Sequence, residues 1–160
     1  MAKARAKPET KRAIEICYSN VDEILTKAPG LMRSHWEEIM GFDGPPLNID
    51  ELRYKALEKA EALLCLAAWN GDELVGYSVT IVATDLKSQE TLIARNEALF
   101  VSEAFRNVRV GGALMKQTAK EAKKMGARHV LWHSKFNSDL SQILMKREYP
   151  IQEVVFRQEL

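Results

Sequence analysis

Residues 96–126 read NEALFVSEAFRNVRVGGALMKQTAKEAKKMG. Ala98, Leu99, Phe100 and Val101 form a short apolar run of the kind that fills a buried strand. Residues 102–107 are a polar turn, and a long amphipathic helix starts near 108–111 and ends at Gly126, a C-cap residue. Behind Arg106, Asn107, Val108, Arg109 and Val110, the small residues Gly111, Gly112 and Ala113 stand where that helix begins. A helix N-terminus offers unpaired N–H groups and a positive dipole end, which together suit a phosphate. Glycine lets a ligand approach the backbone closely. The plainer alternative is a packing unit of strand, turn and helix with no ligand.

Upstream of this unit the pattern is β. The runs 64–69 and 73–82 flank Asn70-Gly71-Asp72, and Asn-Gly between apolar runs is a strong hairpin signal. A second turn over 85–90 leads into a strand over 91–101, so three strands form an antiparallel meander. Further back, 13–18 alternates like a strand. Ser19 or Asn20 caps a helix over Val21–Lys27, and Pro29-Gly30 breaks it. A second helical piece spans 31–40, a loop 41–46, and a third helix 51–63 behind Asn48 or Asp50. Downstream, 128–133 is a strand that follows a helix and so can lie parallel to 91–101. A last helix spans 137–146, and 151–160 reads as an edge or hairpin strand after Pro150.

A chain of 160 residues with 46% apolar and 28% charged residues is a single globular domain. We expect a disordered basic terminus over 1–10 and one domain over 11–160. The net charge of +1 excludes a global polyanion signal. Lys3, Arg5, Lys7, Lys11 and Arg12 against Glu9 read as a solvated terminus, with a nucleic-acid arm as the alternative. Cys17 and Cys65 lack metal-like spacing, so no metal is expected, and both are expected as buried free thiols of a cytoplasmic protein. Neither a signal peptide nor a membrane-spanning run is expected.

The order β, α, α, α, β, β, β, α, β, α, β resembles the Gcn5-related N-acetyltransferases, the GNAT superfamily, along nearly the whole chain. Residues 106–111 are similar to the family's motif A, Gln/Arg-x-x-Gly-x-Gly/Ala, with Arg106 first and Gly111 last. Arg109 stands where the middle glycine belongs; a backbone N–H needs glycine there only where φ is positive, and the arginine either adds charge toward the phosphates or crowds them. The DELVGYSVT hairpin at 72–80 carries the Gly-Tyr common in the family. RSHWEEI, NEALFV, HVLWHSK and YPIQEVVFRQEL look like a subgroup carried by bacteriophages.

The resemblance implies a mixed α/β fold: a mostly antiparallel sheet, flanked by helices, whose parallel fourth and fifth strands splay apart. It puts acetyl-CoA in that gap as cosubstrate, with pantetheine on Leu99, Phe100 and Val101, pyrophosphate on 106–113, and Asn137 as a further contact. The implied activity is N-acetyl transfer from acetyl-CoA to a primary amine by direct attack.

Such a transfer needs a base for the amine, a donor for the carbonyl oxygen and an acid for the leaving thiolate. Glu97 is the first base candidate, the alternative being a strand-end carboxylate paired with Arg95 or a lysine. His133, near the end of its strand, is either a proton relay or a hydrogen-bonded structural histidine. His35 and Trp36 fall where the family's acceptor pocket is lined. In many members the last helix carries a tyrosine as acid; here Leu144 takes that place and cannot donate a proton. Solvent, Ser134 or Ser138 are the remaining donors.

Three readings therefore stand: an acetyltransferase acting on a small-molecule or protein amine; a catalytically weak acyl-CoA-binding or interaction module; and a modifier of nucleic acid or ribosomal protein, resting on the basic terminus alone. The acceptor is not legible, and an apolar final strand could pair across a homodimer.

Overall fold

The computed structural model describes residues 13–41, 44–85 and 87–158. The expected terminus over 1–10 lies outside them. One five-stranded sheet has the order β1-β2-β3-β4-β5, built from β1 (Ile14–Tyr18), β2 (Leu63–Asn70), β3 (Glu73–Asp85), β4 (Ser88–Val101) and β5 (Val130–Trp132). The first four are antiparallel neighbours, and β5 lies parallel to β4.

Helices cover both faces. On one face α4 (Val110–Lys124) buries Val110, Leu114 and Ala122 against Leu66, Ala68, Val75 and Val101. On the other face α1 (Val21–Lys27), α2 (Pro29–Met40) and α3 (Glu51–Lys59) close over Tyr77, Val79 and Phe100. A short 3-10 turn, Glu103–Val108, joins β4 to α4, and α5 (Asp139–Lys146) follows β5. This is the expected mixed α/β architecture.

Two details of β4 bear on the site. The register with β3 runs Val79↔Ala98 and then Thr80↔Asn96, so Glu97 is a bulge residue with no β3 partner. The pairing with β5 covers only Ala94↔Val130, Arg95↔Leu131 and Asn96↔Trp132. Beyond Asn96, β4 continues to Val101 with β3 beside it and without β5 pairing.

Several boundaries differ from expectation. Helix α1 ends at Lys27 before Pro29 as expected, but α2 starts at Pro29 rather than 31, because proline suits the first helical position. Helix α3 stops at Lys59 rather than 63: Glu61 turns left-handed (φ 54) and the Ala62 N–H closes onto the Leu57 carbonyl at 2.9 Å. The β3–β4 hairpin is longer and tighter than expected, with Asp85 opposite Ser88. The fifth strand shrinks to three residues, and α5 starts at Asp139 behind its cap Ser138, leaving Asn137 outside the helix at φ 60. Residues 151–158 join no strand, which corrects the expected final strand over the described part of 151–160. A strand needs an edge to pair with, and apolar alternation alone does not supply one. Cys65 is buried as expected, but Cys17 is exposed. It alternates with Ile14 and Ile16, whose side chains take the core side of the edge strand.

Candidate active site

Two neighbouring regions carry the chemistry. The first is the N-terminus of α4. Arg109 sits at its N-cap in the left-handed region, φ 64 and ψ 13, so the position where the sequence motif lacks its glycine does take a positive φ. No side chain caps this end and its first turn holds no acid. Helices α1, α3 and α5 each have both: Asn20 with Asp22 and Glu23, Asp50 with Glu51, and Ser138 with Asp139; α2, which opens on Pro29, has neither. The Ala113 N–H donates to the Arg109 carbonyl at 3.0 Å. A Cβ on Gly112 would lie 3.6 Å from the Arg147 guanidinium, so a cation beyond the end of α5 stands beside the same helix terminus. Sequence reasoning missed Arg147, because nothing local to 147 marks it; only the packing brings it to residue 112. A Cβ on Gly111 would meet only Val101, at 3.8 Å.

Arg106 is held by the protein itself. Its Nε donates to the Val101 carbonyl at 3.0 Å, its guanidinium pairs with Glu38, and it lies 5.3 Å from the Phe100 ring centre. These contacts tie the turn after β4 to α2. Phe100, Val101 and Val110 are buried, and Leu99 packs against the α4-side core. Asn107 and Val108 lie in the 3-10 turn.

The second region is a cleft of about 520 Å³ between α2, the segment 46–50, α3 and the middle of β3 and β4. It brings together three of the expected residues, His35, Trp36 and Glu97. Glu97 reaches its rim from the bulge. The Trp36 indole N–H donates to the Pro45 carbonyl at 2.6 Å, which anchors the segment leading into the cleft wall. His35 Nδ1 shares a 2.7 Å hydrogen bond with the Tyr77 hydroxyl, and its ring stacks on Phe100 with centroids 4.6 Å apart. Burial holds the imidazole down at about 4, with Arg106 pushing the same way and Glu38 opposing, so it is neutral near pH 7. Burial raises the Tyr54 phenol, and the Glu97 carboxylate adds to that. Burial also raises Tyr77. Sequence reasoning missed both tyrosines as cleft groups.

Beneath Glu97 lies a polar knot. The Asn96 amide nitrogen is 3.1 Å from Ser78 Oγ, 3.0 Å from Thr80 Oγ1, and 3.2 Å from the carbonyls of Val79 and Ala98. Ser78 in turn bonds Thr118 of α4 at 2.9 Å. This knot spans the bulge and fixes the strand from which Glu97 projects.

His133 and Asn137 are exposed, past the end of β5, and neither lines the cleft. Leu144 is buried, so α5 presents no hydroxyl there. Ser138 Oγ accepts the Ser141 N–H as a helix cap. Among the described residues no cluster of His, Cys, Asp and Glu could hold a metal, and no helix is long and apolar enough to cross a membrane.

Comparison with known proteins adds to this geometry. The model of a family described as acetyltransferase (GNAT) matches residues 29–146. No curated protein matches by sequence. Among solved structures, an aminoglycoside acetyltransferase from an uncultured soil metagenomic sample superposes with TM-score 0.70 at 19% identity, over 92% of this chain and 96% of that one. AAC(6')-Iy, bound to a CoA bisubstrate analogue, gives 0.69 at 17% identity over 92% and 99%. A ribosomal-protein-alanine N-acetyltransferase from Brucella melitensis biovar Abortus 2308 gives 0.69 at 15% identity over 92% and 99%. At these identities the likeness is one of fold.

Proposed function

The chain belongs to the acetyltransferase (GNAT) family, and from that premise we propose that it transfers an acetyl group from acetyl-CoA to a primary amine, small molecule or protein, by direct attack. The observation that carries the donor half is the N-terminus of α4. It has neither side-chain cap nor acid, begins with Gly111 and Gly112, and stands beside Arg147. An external polyanion satisfies such a terminus, and the cofactor's pyrophosphate is one. The stretch of β4 beyond its last β5 pair gives the pantetheine arm a strand to lie along.

When bound, acetyl-CoA supplies the activated acyl group. Glu97 takes the amine's proton, directly or through water, so that a neutral nitrogen attacks. The C–N bond forms as the C–S bond breaks, and the sulfur leaves with a proton. Leu144 carries no proton, so solvent, Ser134 or Ser138 supplies it. His35 and Trp36 contact the acceptor. His133 is left with relay at the outer end of β5. We also read residues 151–158 as a pairing surface for a second copy of the chain.

Calorimetric titration with acetyl-CoA, coenzyme A and pantetheine, which lacks the pyrophosphate, tests the donor site. We expect micromolar binding that weakens as phosphate is removed. Gly111→Glu should abolish binding without unfolding the protein, since a Cβ there meets only an ordinary contact and an acid suits a first helical turn. Retained affinity in that variant would sink the assignment. The second reading, a module that binds cofactor without turnover, is favoured by Leu144 alone; it requires binding without acetylation of any amine tried.

A further inference from the structure

We infer that the cleft beside Glu97 selects a small primary monoamine carrying an aromatic or branched apolar body, and excludes polycationic acceptors. The inference deepens the acetyl-transfer reading: the reaction depends on that reading, the binding preference does not. A volume of about 520 Å³ suits one small molecule. Among the described residues three lining side chains have formal charge: Asp50, Arg53 and Glu97. Asp50 is engaged at the start of α3, accepting the Arg53 backbone N–H at 3.0 Å, and the Arg53 guanidinium adds one positive charge to the lining. Two carboxylates less one guanidinium leave one net negative charge. Asp50 is held by its hydrogen bond, and Glu97 is the carboxylate with no hydrogen bond or ion pair among the described residues.

The rest of the lining is mostly apolar or aromatic. Trp36, Ile39, Leu57 and Ile81 offer hydrocarbon surface, with Tyr54 and Tyr77 adding aromatic rings. One ammonium beside Glu97 is therefore paired, and an apolar body is desolvated at a gain. Aromatic rings also favour a nearby cation. An aminoglycoside brings several ammonium groups and many hydroxyls. Beyond the first ammonium, each charge placed here exceeds the net negative charge of the described lining, and an unpaired charge held among apolar groups is costly.

The test is calorimetric titration of 2-phenylethylamine, tryptamine and kanamycin into the whole chain, with and without saturating coenzyme A. The two monoamines should bind about tenfold or more tighter than kanamycin. Glu97→Gln should weaken them about tenfold or more while leaving acetyl-CoA affinity unchanged, and Trp36→Ala should weaken 2-phenylethylamine with acetyl-CoA affinity again unchanged. Kanamycin binding as tightly as the monoamines, no binding of either monoamine, or unchanged monoamine affinity in Glu97→Gln would each overturn the inference. The acetyl-transfer reading fails separately, through loss of acetyl-CoA binding in the unaltered chain, an outcome that leaves the amine preference standing.

Discussion

Arg109 shows how much a single backbone angle can hide in a sequence. The string RNVRVGG carries the outline of a phosphate loop, but not the sign of φ at Arg109. That angle is +64°, in a region where a Cβ costs about 1 kcal/mol or more. Arg109→Gly should therefore raise stability by about 0.5–1 kcal/mol, less than the full strain because glycine also loosens the unfolded chain. Urea denaturation measures it, and a loss of stability would mean that the arginine side chain offsets the strain. His35 gives a second test at this scale. Its folded value, about 4, lies below the ordinary 6.5. The unfolded chain thus binds more protons between those values, so the contribution is complete above pH 6.5 and is lost as pH falls through the folded value. Between pH 7 and 4.5 the wild type should lose about 2–3 kcal/mol more than His35→Gln. Parallel stability profiles for the two proteins would show that burial of the imidazole does not drive the shift. A neutral His35 at the cleft was not visible in RSHWEEI, because its burial comes from Phe100 and Tyr77, far away in sequence.

Strand, turn and helix over 96–126 were legible as elements, and so was the Gly126 stop (φ 94). What the sequence did not show was how β4 is bent. The bulge leaves Glu97 without a β3 partner and directs it to the cleft rim, and no alternation rule places a bulge. The end of α3 was misjudged for a related reason. It closes through a glutamate in the left-handed region, Glu61 (φ 54), where the usual signal would be glycine. The bulge is held by Asn96, whose Oδ1 meets no partner among the described residues while its nitrogen serves the strand. Asn96→Ala should cost about 1–2 kcal/mol: it strips donors from Thr80, Val79 and Ala98, partly offset by removing the unmet oxygen. Glu97→Gln is the complementary change. It should lower kcat about a hundredfold while acetyl-CoA affinity stays the same. A rate unchanged in Glu97→Gln would remove Glu97 as the base, and the neutral His35–Tyr77 pair would be the next group to test.

At the scale of the whole molecule, the acceptor cleft and the chain terminus follow opposite logics. The cleft joins residues 32–57 to residues 77–98, so its lining could be suspected at His35 and Trp36 but not assembled from sequence. The terminus is the reverse case: its pattern was plain and its partner was not. Ile151, Val154, Val155 and Phe156 are exposed at 73%, 69%, 89% and 90%, a large apolar load to leave in water. Pairing with the outer edge of β5 in a second copy would bury those side chains and cover two short sheet edges in one symmetric contact. Light scattering after size exclusion should therefore find a dimer. Replacing Val155 and Phe156 by lysine should give a monomer that still binds acetyl-CoA, because the α4 terminus lies elsewhere in the chain. A wild-type protein that stays monomeric at every concentration would leave the segment to fold back on its own β5. In that case the double lysine variant should lose stability instead of changing mass, so the two arrangements are told apart by one pair of proteins.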